Sequence, residues 1–253
     1  MLTDVHAHYD DKRFDGDRDE IIESVKKSGA GLIINSGSGI KSSRASVDLA
    51  DKYDFVYATV GVHPHEAEKT PEDTIDVLAG LLENKKAVAI GEIGLDFYYN
   101  FSNKESQRLW FAKQMDFAAD AKYPVVIHDR DAHGECLDTA RKYKGVVRGV
   151  FHNYSGSVEM ARELIKLDYM FSFGGVATFK NARVCLEAIK EIPAEYILLE
   201  TDCPYLAPHP HRGKRNDSGY LPLVAQRIAE IKNIEVGEII AMTGENARRF
   251  FNI

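Results

Sequence analysis

The chain has 253 residues, of which 44% are hydrophobic, 28% charged and 10% aromatic, enough apolar material for a large core. This composition excludes a disordered, collagen-like or coiled-coil chain, and no run approaches the roughly 18 apolar residues of a membrane span. The 32 Lys and Arg against 39 Asp and Glu give a formal charge of −7, so contact with a polyanion has to rest on a local basic patch.

The start, Met1-Leu-Thr-Asp-Val-His6, has no basic stretch leading into an apolar one, and a soluble cytoplasmic protein is expected. The three cysteines, Cys136, Cys185 and Cys203, are far apart and form no CxxC pair, which argues against a disulfide framework or a cysteine-held zinc. No Ser/Gly/Pro tract, long single-sign charge run or low-complexity segment interrupts the chain, so one domain over residues 1–253 is expected.

In chain order, short apolar runs rich in β-branched and aromatic residues occur at 2–5, 31–35, 56–60, 87–90, 124–127, 149–151, 169–173 and 197–201. They read as buried strands. Amphipathic stretches that read as helices fall between them, at 18–28, 42–52, 71–83, 104–121, 132–143, 158–167 and 182–191. Two more follow the last strand, at 221–232 and 236–251. The run Thr70-Pro71-Glu72-Asp73 reads as a capping hydroxyl before a helix-first proline. Strands that alternate with helices imply a parallel sheet. Eight such units in this length predict an α/β fold, a (β/α)8 TIM barrel with its active site at the C-terminal end of the strands. The rival, an open doubly wound sheet, calls for a Gly-rich turn after the first strand; here that strand ends in His6-Ala-His8.

Eight of the nine histidines fall in predicted loops or at strand ends, the ninth, His133, opens a predicted helix, and none lies in the middle of one. His6 and His8 are two residues apart, a spacing that sends both imidazoles to one side of an extended chain. Strand four leads into Glu92, strand five into His128, strand six into His152 and strand eight into Asp202. Four imidazoles and two carboxylates from five strand ends aim at one mouth. Such a mixed cage suits Zn, Mn, Fe or, less well, Mg.

The stretches Asp4-Val-His6-Ala-His8, Gly61-Val-His63-Pro-His65, Gly91-Glu-Ile-Gly-Leu-Asp96, Val126-Ile-His128, Phe151-His152 and Leu199-Glu-Thr-Asp202 occur in this order. With Glu245-Asn246-Ala247 near the end, they make the chain resemble the TatD-type deoxyribonucleases, metal-dependent hydrolases among the amidohydrolase-like barrels. The resemblance covers nearly the whole chain. It implies metal-dependent hydrolysis of DNA phosphodiesters, as a 3′–5′ exonuclease on single-stranded DNA. Two stretches depart from the family pattern: Asn153-Tyr154 stands where Cys-Phe is usual, and the loop usually reading Arg-Gly-x-x-Asn-Glu-Pro is Arg212-Gly-Lys-Arg-Asn216-Asp217-Ser218.

On this reading His6, His8, Glu92 and Asp202 hold one divalent metal, and Glu92, His128 and His152 hold a second, with Glu92 bridging. The expected cofactor is two such ions per chain, Mg, Mn or Zn, clamping attacking and leaving oxygens of a phosphodiester. Asp202 is the expected general base and Glu92 the second catalytic carboxylate. The sequence leaves one, two or three metals open. Substrate contacts are expected from His63 and His65, and from Arg212, Lys214 and Arg215 in the long loop at 203–219, which gives an acidic chain a local cationic rim. Asp4 reads as an orienter of a neighbouring imidazole, Phe97-Tyr98-Tyr99 as a nucleobase stack or loop core, and Cys203 as a small buried residue. The same ligand frame serves other substrates on this barrel. Hydrolysis of a small amide, ester or lactone, or of an aminoacyl-tRNA ester, is the alternative.

Overall fold

The computed structural model describes residues 1–253. All eight strands lie in one parallel sheet whose order follows the chain: β1 (Leu2–Ala7), β2 (Ala30–Ser36), β3 (Val56–Val60), β4 (Ala87–Asp96), β5 (Val125–Arg130), β6 (Gly149–Phe151), β7 (Met170–Phe173) and β8 (Ile197–Leu199). The helices are α1 (Arg18–Lys27), α2 (Ile40–Lys52), α3 (Thr74–Leu82), α4 (Lys104–Ala121), α5 (His133–Lys142), α6 (Val158–Ile165), α7 (Arg183–Glu191), α8 (Leu221–Lys232) and α9 (Val236–Phe251). The ring closes between the last and first strands just past β8. There Asp202 N–H donates to the His6 carbonyl at 2.9 Å and His8 N–H to the Cys203 carbonyl at 2.8 Å. This is the (β/α)8 barrel expected from the alternation of elements.

Two of the nine helices, α4 and α6, start on a side-chain cap. α4 starts at Asn103, whose side chain accepts from Ser106 N–H at 2.8 Å. It buries Trp110, Phe111, Gln114, Met115 and Ala118 at the three- and four-residue spacing that keeps one helix face on the sheet. α6 is capped by Ser157 in the same way, and α8 and α9 end on the left-handed residues Asn233 and Asn252, a conformation asparagine tolerates.

The expected cap at Thr70 is corrected. α3 begins three residues after Pro71, at Thr74, behind Asp73, and the Thr70 hydroxyl donates to the Glu66 carbonyl at 2.8 Å, closing a 3-10 turn at Pro64–Lys69. The hydroxyl thus closes the turn before it and does not open the helix after it. β4 is also longer than expected. Glu92 lies inside the strand, which continues to Asp96 because its later residues pair with Ile127, His128, Asp129 and Arg130 of β5. Gly94 permits this approach: its φ is +133°, and a Cβ there would stand 2.0 Å from the His128 carbonyl oxygen.

Inside the barrel the period of two along each strand sorts apolar from polar residues. Leu32 and Ile34, Val126, Val150, Met170 and Leu198 form an apolar plug with Val5 and Val88, sealed at the bottom by Phe250 and Phe251 of α9. Two residues further along the same strands, at the mouth, stand Ser36, His128, His152, Ser172 and Glu200.

Candidate metal centre

The six expected ligands meet at the mouth. Glu92 stands in the middle, 4% exposed, and its two oxygens face opposite ways. Oε2 lies 3.3 Å from His6 Nε2 and 3.6 Å from His8 Nε2. Asp202 Oδ1 completes that group, 3.4 Å from His8 Nε2 and 4.0 Å from His6 Nε2. Oε1 lies 2.8 Å from both His128 Nδ1 and His152 Nε2, and 3.3 Å from His63 Nε2. The two halves are locked together by His6 and His152, whose rings stack with centroids 3.9 Å apart.

The partners behind the rings decide which nitrogen faces inward with a lone pair. His8 Nδ1 lies 3.0 Å from the Ser36 carbonyl, which only accepts; the ring proton belongs on Nδ1 and Nε2 is bare. His128 Nε2 lies 3.1 Å from Asp96 Oδ2, so its Nδ1 is bare. His152 Nδ1 faces Glu200 Oε1 at 3.5 Å, leaving Nε2 bare. His6 Nδ1 meets the Ser36 hydroxyl at 3.2 Å. Bare nitrogens and carboxylate oxygens facing one another at these separations repel unless a cation or a proton lies between them. The donor set, imidazole nitrogen with carboxylate oxygen on either side of Glu92, fits divalent metal.

Electrostatics agree with this geometry. Burial works against the Glu92 carboxylate, yet His63, His152 and His6 outweigh it and hold its carboxyl well below the ordinary range. Burial likewise opposes charge on His8, but Asp202 and Glu92 lift it to about 9. His152 is raised against its burial by Glu92 and Glu200, and His128 by Asp96 and Glu92. Protons and cations thus compete for the same lone pairs.

His63 and His65 separate. His63 lies inside the cage, but its Nδ1 accepts the His65 backbone N–H at 3.1 Å, so in the neutral ring Nε2 carries the hydrogen. Burial depresses its pKa to about 4, keeping it neutral. His63 therefore offers Glu92 an N–H and differs from the bare nitrogens of His8, His128 and His152. His65 stands further out: its Nε2 lies 2.8 Å from Asp96 Oδ2, the oxygen that also holds His128.

The cationic loop divides in the same manner. Arg215 is drawn onto Asp17, with Nη1 and Nη2 at 2.8 and 2.5 Å from its two oxygens, and donates to the Arg13 carbonyl; it holds the loop to the start of α1. Arg212 is exposed, its guanidinium 4.3 Å from the Phe179 ring, and Lys214 is exposed beside it.

Asp4 touches no imidazole ring. Its carboxylate accepts from Thr201 N–H at 3.0 Å, the Thr201 hydroxyl and the Ser218 hydroxyl at 2.6 Å, and His6 N–H at 3.3 Å. It pins the backbones that carry His6 and Asp202. Cys203 is fully buried, and burial pushes its thiol well above the ordinary range, in line with the structural role expected. Sequence reasoning missed three supports: Ser36, Asp96 as the holder of His128, and Glu200. Each lies on the inward row of a strand, and that parity is the signal that could have found them.

A (β/α)8 barrel with an imidazole–carboxylate cage at the C-terminal ends of its strands defines a metal-dependent hydrolase. Comparison with known proteins narrows the class. The family model described as TatD related DNase matches residues 3–252. An uncharacterized metal-dependent hydrolase of Bacillus subtilis, YabD, is 41% identical over the full length of both chains. The 3′-5′ ssDNA/RNA exonuclease TatD of Erwinia tasmaniensis is 32% identical, again over the whole of each chain. Among solved structures, the TatD homolog YJJV of Escherichia coli superposes with a TM-score of 0.93 at 28% identity, covering 100% of this chain and 98% of that one. The chain belongs to the TatD family of metal-dependent hydrolases.

Proposed function

We propose that this chain hydrolyses the phosphodiester bonds of single-stranded DNA, removing nucleotides from the 3′ end. The observation that carries the reading is the orientation of Glu92, whose two oxygens serve opposite groups of imidazoles. Two divalent ions held there, one by His6, His8, Glu92 and Asp202 and one by Glu92, His128 and His152, would polarise phosphoryl oxygens and acidify a bound water. Asp202 is 15% exposed at its side chain and faces the cage with one oxygen, which leaves the other to take the proton of the attacking water. The water oxygen bonds to phosphorus as the bond to the leaving oxygen breaks. His63 would turn its one N–H from Glu92 Oε1 to the phosphoryl group. Arg212 and Lys214 meet the backbone further along the strand, with Arg215 and His65 acting behind them as supports. DNA as the substrate draws support from the exonuclease named among the relatives.

The test is release of nucleotides from end-labelled single-stranded DNA with Mg, Mn or Zn, against a chelated control. Metal-dependent loss from the 3′ end, abolished in Asp202→Ala, is the expected outcome. Metal-loaded protein that releases nothing overturns the proposal and turns attention to small esters, lactones or aminoacyl-tRNA.

A further inference from the structure

Resting on the phosphodiesterase reading, we infer that the mouth carries two aromatic lips that stack unpaired bases of a single-stranded polynucleotide. Only four aromatic side chains count among the large hydrophobics left exposed: Tyr98 (59%), Tyr99 (41%), Phe101 (61%) and Tyr205 (46%). All four lie on two loops at the mouth, after β4 and after β8. Apolar rings held in water in one place mark a binding surface, and chance dispersal over the molecule would not bring them to the two sides of the cage. The Phe101 and Tyr99 rings stand 4.8 and 5.6 Å from His65, which Asp96 joins to His128. Tyr205 stands 6.3 Å from His8, on the side of the first ion group.

The backbone of the first lip is pinned by hydrogen bonds. Asp96 Oδ1 accepts the backbone N–H groups of Tyr98 and Tyr99 at 3.0 and 2.9 Å, and the Ser102 hydroxyl donates to the His65 carbonyl at 2.7 Å. A loop backbone pinned in this way leaves less freedom to be lost when a base lands on the rings. Each lip also carries a guanidinium: Arg130 lies 4.2 and 4.8 Å from the Tyr98 and Tyr99 rings, and Arg13 lies 3.9 Å from the Tyr205 ring, where its Nε and Nη2 also donate to Asp11 at 3.0 Å each. Arg130 has no carboxylate partner, which leaves its charge for a phosphate between stacked bases. Rings on both sides of a reacting centre, with an unpaired cation beside the first set, are the pattern that binds a polynucleotide with its bases splayed out. A duplex, whose bases already stack on one another, has no free face to offer. A small neutral substrate has no use for two lips.

The test measures binding to metal-loaded protein of a cleavage-resistant phosphorothioate oligothymidylate and of an equally long oligomer without bases. The wild type is expected to bind the base-bearing oligomer at least about tenfold more tightly. The Tyr98→Ala/Tyr99→Ala/Phe101→Ala variant loses most of that preference while its affinity for the baseless oligomer stays unchanged, and Tyr205→Ala loses a smaller part. A ribose version of the oligomer behaves alike, because every base presents a face. These rings are exposed, so an unaltered thermal midpoint checks that the variants fold. Equal wild-type affinity for the two oligomers, or a preference that survives in the triple variant, overturns the inference. If labelled DNA is still degraded in that case, only the lips are wrong; if it is not, the phosphodiesterase reading fails as well.

Discussion

Glu200 stands directly behind His152, its Oε1 3.5 Å from the ring's Nδ1. Glu200 is fully buried, its other oxygen takes the Ser172 hydroxyl, and neither of the two facing atoms has another partner. A buried carboxylate left with one imidazole is costly unless the two act together. It fixes the His152 ring so that Nε2 points at Glu92.

Glu200→Gln keeps the shape but replaces the carboxylate by a neutral amide. We expect the affinity of the ion held by Glu92, His128 and His152 to fall about 10–100-fold, the usual effect of losing an orienting partner. The ion at His6, His8 and Asp202 should stay. Calorimetric metal titration checks this; two unchanged binding steps would show that His152 needs no such support.

Glu92 serves both groups, so its removal acts on both. In Glu92→Ala, metal content should fall at both sites, and any hydrolytic activity should fall by more than the roughly 10–100-fold of a change one shell out. Metal analysis after dialysis, with circular dichroism to confirm folding, reads the outcome. Retention of one full equivalent would remove Glu92 from the bridging position.

Metal uptake should also depend on pH. In the metal-free protein Asp202 and Glu92 lift His8 to about 9 against its burial, so at neutral pH an entering ion has to displace that proton. Affinity therefore rises with pH, up to about tenfold per unit, and levels off above the His8 pKa. Titrations with Mn or Zn at three pH values between about 6.5 and 8.5 measure the slope. A flat profile would mean that no imidazole proton is displaced.

The ligand set was legible because each of its members lies at or just beyond the end of an apolar β-run, and the period of two points it inward. Glu92 reads as lying just past its strand because the apolar run ends at Ile90; only pairing with β5 shows the strand continuing. Glu200 sits in the same run as Asp202, but the depth that buries one and exposes the other depends on how the neighbouring strands are staggered. The different parts played by His63 and His65 depend on which ring nitrogen meets which partner, a matter of ångströms. Arg215 looked like its neighbours Arg212 and Lys214, since its partner Asp17 lies 198 residues away in the chain, beyond any local pattern.

Asp4 offers a test of stability apart from chemistry. Four donors, from His6, Thr201 and Ser218, converge on its buried carboxylate, and Asp4→Ala leaves all of them without an acceptor. The cost is at least about 2 kcal/mol, and each kcal/mol lowers the midpoint of a chain this size by about 2–4 °C. Thermal unfolding of the metal-free protein reads it without interference from bound ions. An unchanged midpoint would mean that water or a shifted backbone satisfies the four donors.

The cationic loop yields the sharpest contrast, because two neighbouring arginines differ in what they already hold. A phosphate contact releases counterions, so removing it weakens binding and lowers the salt dependence by about one unit of slope. Arg212 is exposed and pairs with no carboxylate, only with the face of Phe179, and Lys214 next to it is exposed as well. Either one changed to Ala should show both effects. Arg215 is closed on Asp17 by two hydrogen bonds and on the Arg13 carbonyl by a third. Arg215→Ala should leave the salt slope as it is and loosen the attachment of the loop to α1, lowering the thermal midpoint instead. Binding of a labelled single strand at several salt concentrations separates the two behaviours. If Arg215→Ala lowers the slope as Arg212→Ala does, the guanidinium leaves Asp17 when polynucleotide arrives, and the loop rearranges on binding.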